Sequence, residues 1–171
     1  MAQQSECPGC GLRMPVKETA TTHRYFNTSP ECWDLYMEVL AIEYADPPLF
    51  GRVHQLTVDS YAAQHPGGSH PDKSVDVHLC GLYLSLVRST DSASISPLRQ
   101  RLIDSVEEWP HFPPPSDLGP MTVFDIALTG SVNEHAEVVQ RWARSVWQAW
   151  SPHHASIAEM AVRHLRLEDQ G

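Results

Sequence analysis

The chain has 171 residues, 42% of them hydrophobic, which is enough for one buried core and too few for two independent domains. Its formal charge is -9, from 21 acidic against 12 basic residues, and no run of Lys or Arg stands out; nucleic acid is excluded as a natural partner, because phosphate binding needs clustered cations. No segment reaches the roughly 18 apolar residues of a membrane span, and the opening AQQSEC has no basic stretch or apolar run of a secretory leader, so a soluble cytoplasmic protein is expected.

Residues 1–32 read as a leader. Their first 28 positions lack apolar periodicity and are rich in Gly, Thr and Pro, so they need an external tie. Cys7 and Cys10 flank Pro8-Gly9 and precede Gly11, the form of a zinc knuckle in which glycine lets the backbone turn both thiolates to one point. Two more ligands are needed, and the nearest candidates are His23 and Cys32. Cys7, Cys10, His23 and Cys32 would make a closed structural zinc site, with no open position for substrate. A redox-active pair would want the motif at a helix start after a strand, and no βαβ pattern surrounds it. Unliganded thiols are the remaining reading.

The next stretch, SPECWDLYMEVLAIEYADPP, opens with a Ser-Pro start signal, carries Cys32, Trp33, Tyr36, Leu40 and Tyr44 at helical spacing, and stops at Pro47-Pro48. A second helix is predicted from Leu49 to Gln64, ended by Pro66-Gly67-Gly68. A third runs from Pro71 or Asp72 to Arg88, with Asp72 as a possible N-cap and Cys80 as a packed small hydrophobe. SPLRQRLIDSVEEWP makes a fourth, shorter helix. A connector over about 109–120 follows, in a stretch with five prolines in sixteen residues. TVFDIALTG is of uncertain type. SVNEHAEVVQRWARSVWQAW is a strongly amphipathic helix, and a last helix starts with Ser151 as N-cap and Pro152 at its first position. No pair of alternating strands is visible. The expected fold is mostly α, a bundle of about five to six helices over 33–171 with the zinc knuckle before it, all one domain.

Ten histidines are a high count, and imidazole is both the commonest metal ligand and the side chain most easily tuned near neutral pH. In the second helix His54, Val58, Tyr61 and His65 share one face, since offsets of four, seven and eleven return to it. His78 in the third helix shares a face with Val75 and Leu82, and His154 lines up with Trp147, Trp150 and Ile157. A single inward histidine is ordinarily a hydrogen-bonded core residue; several converging ones point to a shared ligand. His65, His78 and His154 are therefore candidates for a second divalent-metal site, with His54, Asp59 and Tyr61 as acid, base or supporting groups. His70, His111, His153 and His164 fall in loops or on polar faces, and His135 stands near a helix start.

In this order, CPGCG, SPECW, VHQLTVDSYAAQHPGG, KSVDVHLCGLYLSL and WARSVWQAWSPHH resemble a family of uncharacterised bacterial proteins classed as a domain of unknown function. The resemblance covers nearly the whole chain. It implies no activity, and it marks Cys7, Cys10, His23, Cys32, His54, Asp59, Tyr61, Gln64, His65, His78, Trp147 and His154. At the level of fold alone the chain is similar to DinB-like bundles, where three histidines from separate helices hold a metal. Three functions stay open: a small metal-dependent enzyme acting on a small molecule through the His-lined interior, a metal-free His/Asp acid-base enzyme, and a non-catalytic zinc-stabilised module that takes a ligand or a protein partner. Substrate and oligomeric state are left open by the sequence.

Overall fold

The computed structural model describes residues 3–167. The leader forms a small antiparallel hairpin of β1 (Gln4–Glu6) and β2 (Arg13–Pro15), paired Gln4 to Pro15, Ser5 to Met14 and Glu6 to Arg13. The CPGC knuckle is its turn. These strands are three residues each and show no alternating pattern that would have announced them.

Helix α1 (Pro30–Ala45) begins where Ser29 accepts the Cys32 amide on its hydroxyl, with Pro30 in the first turn. Asp46 closes α1 and caps α2 (Pro47–Gln64) through the Leu49 amide, so α2 starts two residues ahead of the predicted Leu49. Helix α3 (Asp72–Leu86) follows the Pro-Gly-Gly turn; Pro71 holds the cap position and gives no side-chain hydrogen bond. Asp72, expected as the cap, is the first helical residue, and its carboxylate accepts from His111.

Helix α4 (Ser92–Ser105) starts earlier than its sequence suggested, because Asp91 caps it and the helix runs through Pro97. The ambiguous TVFDIALTG contains a one-turn helix, α5 (Val123–Ala127), set by a capping box between Thr122 and Asp125. After α6 (Val132–Ala149) the chain makes a 3-10 turn over Ser151–His153, and α7 (His154–Leu165) follows. Ser151 thus belongs to the turn and does not cap a helix.

Helix α2 packs against α1, α3, α4 and α6 and is the axis of the bundle. Its Tyr61, Ala62 and Ala63 are fully buried, as are Trp142 and Trp150 of the facing α6 segment. Both indoles donate to the end of α2, Trp142 to the Gln64 side chain and Trp150 to the Ala63 carbonyl, each at 3.0 Å. Gln64 in turn donates to the Leu118 and Met121 carbonyls and pins the connector. Among the described residues no helix is long and apolar enough to cross a membrane.

Candidate metal centre

Three pieces of chain meet at the carboxyl end of α2. The hairpin turn brings Cys7 and Cys10, the first turn of α1 brings Cys32, and His65 stands at the C-cap of α2. Asn27 fastens them together: its amide donates to the His65 carbonyl at 3.2 Å and its side chain to the Pro66 carbonyl at 3.0 Å. The donor atoms of Cys7, Cys10, Cys32 and His65 all lie within 4.8 Å of one another.

Their spacing is that of ligands around a point. The Cys10 and Cys32 sulfurs are 3.7 Å apart, far beyond the ~2.05 Å of a disulfide. A tetrahedron with metal–sulfur bonds of about 2.3 Å has sulfur–sulfur edges of about 3.8 Å, and with an imidazole nitrogen at about 2.05 Å the mixed edge is about 3.6 Å. The Cys32 sulfur lies 3.5 Å from Nε2 of His65. The four groups can hold one metal ion.

The surroundings fix these ligands. Nδ1 of His65 donates to the Tyr61 carbonyl at 2.6 Å, which leaves the lone pair of Nε2 aimed at the sulfurs. The Tyr61 hydroxyl donates to the Cys32 sulfur at 3.6 Å. Thr28 stands 2.7 Å from that hydroxyl and 3.7 Å from the Cys7 sulfur. Burial, with the charge of Cys32 beside it, pushes the Tyr61 phenol far above its ordinary range, so it stays a donor.

Hydrogen bonds from Cys10 and Cys32 hold the Cys7 thiol far below its ordinary range, while the contacts of Cys10 with Cys32 and Cys7 push its thiol far above. Burial opposes a charge on His65, but the Cys32 and Cys7 sulfurs outweigh it and raise the imidazole to about 9. A metal ion needs deprotonated thiols and a neutral imidazole, so its affinity falls with falling pH.

His23, the fourth ligand expected from its position in the sequence, is not in the cluster. Its Nδ1 accepts the amides of Tyr25 and Phe26 at 3.3 and 3.1 Å, and its ring stacks on Phe26 at 4.1 Å. The histidines expected to converge on a second metal lie in three different surroundings. His65 belongs to the cysteine cluster. His78 donates from Nδ1 to buried Asp59 at 2.7 Å. His154 lies flat on Trp147, with ring centroids 3.9 Å apart, and donates from Nε2 to the Trp147 carbonyl at 2.8 Å. Among the described residues, Cys7, Cys10, Cys32 and His65 are the sole group of His, Cys, Asp and Glu side chains close enough to share an ion.

His54 and Tyr61, placed on one face by the periodicity, do different things. Tyr61 backs the metal centre. His54 donates to buried Glu43 at 2.8 Å, and that carboxylate also accepts from Thr57 at 2.6 Å and from His135 at 3.0 Å. Burial would raise Glu43, but the bonds from His135, His54 and Thr57 hold it below the usual carboxylate range. Glu43 and Thr28 escaped the sequence reading, since neither belongs to a motif and each gains its role only from elements packed against its own.

A mostly helical protein in which a hairpin and two helix ends carry a Cys3His cluster is the class that fold and site define. The chain belongs to DUF5946, a family of unknown function whose profile matches residues 5–151. No curated protein and no solved structure matches the chain.

Proposed function

We propose that the chain is a zinc-binding protein in which Cys7, Cys10, Cys32 and His65 hold one zinc ion with a structural task. The observation that carries this reading is the set of four buried or half-buried donors within 4.8 Å of one another, with the Cys10–Cys32 and Cys32–His65 distances of 3.7 and 3.5 Å matching the edges of a zinc-sized tetrahedron. Three thiolates and an imidazole suit zinc, and four protein ligands fill its coordination sphere, which favours stabilisation over catalysis. Cysteines that must stay reduced to bind suit the cytoplasm. With His65, His78 and His154 apart, the reading that fits is a zinc-stabilised helical module serving a small-molecule ligand, in preference to a metal-dependent enzyme.

Elemental analysis of the purified protein tests it. One zinc per chain is expected, lost in Cys10→Ala and His65→Ala and kept in His23→Ala. Zinc retained without His65, or lost without His23, overturns the ligand set. Chelation is expected to lower the thermal midpoint by about 10 °C or more, at roughly 2–4 °C per kcal/mol for a chain of this size.

A further inference from the structure

The four ligands are not equally placed towards solvent. Cys32 and His65 are fully buried and Cys7 is 1% exposed, while Cys10 is half-buried. Outside Cys10 lies a cleft of about 620 Å³, between residues 6–11 of the knuckle and residues 116–119 of the connector. The connector wall is held from behind, because Gln64 donates to the Leu118 carbonyl at 3.0 Å. The knuckle wall is fixed by the hairpin turn, where the Gly11 amide donates to the Cys7 carbonyl at 2.9 Å and the Cys7 amide to the Leu12 carbonyl at 2.8 Å. Cys7 also borders the cleft but offers solvent almost no surface, so a small molecule that enters meets the sulfur of Cys10.

The sulfurs also differ in their hydrogen bonds. The Tyr61 hydroxyl donates to Cys32 at 3.6 Å, and the Thr28 hydroxyl stands 3.7 Å from Cys7. Among the described residues no side-chain hydroxyl reaches Cys10, whose sulfur has that of Cys32 as its neighbour at 3.7 Å. A hydrogen bond stabilises the charge on a thiolate and so lowers its nucleophilicity. Cys10 is therefore the zinc-bound thiolate that solvent reaches and no hydroxyl blunts.

The cleft selects by charge. Glu6 and Asp117 line it, and among the described residues no Lys, Arg or His does. Arg13 offsets Glu6 at 2.8 Å, whereas Asp117 accepts from the Gly119 amide and has no ion pair among the described residues. One negative charge is thus left at the mouth, which favours an uncharged reactant over an anion.

We propose, on the zinc reading above, that Cys10 is the reactive thiolate of the metal centre, and that its oxidation by a small uncharged hydroperoxide, completed by Cys32, opens the centre and releases the ion. In the first step the Cys10 sulfur attacks one peroxide oxygen: an S–O bond forms, the O–O bond breaks, and the other oxygen leaves as hydroxide. Sulfur loses two electrons and the peroxide gains them. In the second step the Cys32 thiolate attacks the Cys10 sulfur, the S–O bond breaks and a second hydroxide leaves. With hydrogen peroxide, two thiolates, one peroxide and two protons from solvent give one disulfide and two waters. The two sulfurs close from 3.7 Å to about 2.05 Å, with Cys10 at the half-exposed end of the pair. Cys7 and His65 alone remain as ligands, two short of a closed zinc site.

The test treats the zinc-loaded full chain with hydrogen peroxide beside a chromophoric zinc chelator, then locates each modified cysteine by alkylation and peptide mass spectrometry. Cys10 is expected to react at least about tenfold faster than Cys7. One zinc should appear per Cys10–Cys32 disulfide, and reduction should restore zinc binding. Cys80, fully buried and outside the cluster, should stay reduced. Without oxidant, iodoacetamide should label Cys10 several-fold faster than the anion iodoacetate, each rate taken relative to free cysteine. Asp117→Asn should narrow that gap with the zinc content unchanged. Cys7 or Cys32 reacting first, zinc retained after Cys10 is oxidised, or a Cys7–Cys10 disulfide in place of Cys10–Cys32 overturns the proposal; equal relative rates for the two iodo reagents overturn its uncharged reactant. Each of these leaves the zinc reading standing, whereas a chain purified without zinc overturns both.

Discussion

A methyl group at Gly9 would stand 2.5 Å from the Asn27 carbonyl oxygen and 2.6 Å from Cδ2 of His65. The glycine of the knuckle is therefore needed for close approach, because the turn lies against the ring of the fourth ligand. Gly9→Ala should push His65 out of line and weaken zinc by at least about tenfold, the scale on which misplaced supporting groups act; competition with a chromophoric chelator measures it, and unchanged affinity would contradict this packing. At this scale the sequence was partly legible. Cys7 and Cys10 declare themselves by spacing, and Cys32 by the absence of nearer thiols. His65 does not, because what places it is the length of α2 and the Asn27 bonds at its end, and a nearer histidine, His23, stood ready in the sequence with its ring committed elsewhere.

Helix ends carry the local design. Asp46 serves two helices at once, ending α1 in an extended conformation and accepting the Leu49 amide for α2. Asp46→Ala should cost about 1 kcal/mol by denaturant unfolding while Asp46→Asn costs much less, since an amide oxygen caps nearly as well. Equal losses in both would show that charge, not the cap, matters. Helix α6 was readable from its periodic apolar face, and α1, α2 and α3 chiefly from the proline and glycine stops that bound them. The hairpin was not, since QSE and RMP carry too few residues to show a period of two. The start of α4 was missed for another reason: Pro97 imitates a first-turn proline, yet Asp91 had already begun the helix.

The interior of the whole bundle holds one acid with no partner among the described residues. Both carboxylate oxygens of Asp76 on α3 are buried and unbonded, and burial, helped by the charge of Asp72, pushes the group up to about 8. An acid whose folded value lies above its unfolded one keeps its proton in the folded chain while the unfolded chain releases it. Between pH 4 and 8, therefore, the contribution of Asp76 to stability falls as pH rises, by up to about 1.4 kcal/mol per unit. Below that window both states are protonated, and above it both are ionised. Asp76→Asn should flatten the slope in urea midpoints taken across this range; a slope that survives the substitution would assign it to other groups.

The three-part origin of the metal centre also sets an order of events. Cys10 and Cys32 are 22 residues apart and Cys32 and His65 are 33 apart, so an ion held by them would join two long loops of chain. Before the hairpin, the start of α1 and the end of α2 have met, only the Cys7–Cys10 pair is in place, and two ligands hold zinc weakly. In kinetic terms a zinc ion held there would be a latch and not a seed: full coordination would follow assembly, and its effect would fall on the rate at which the assembled chain comes apart.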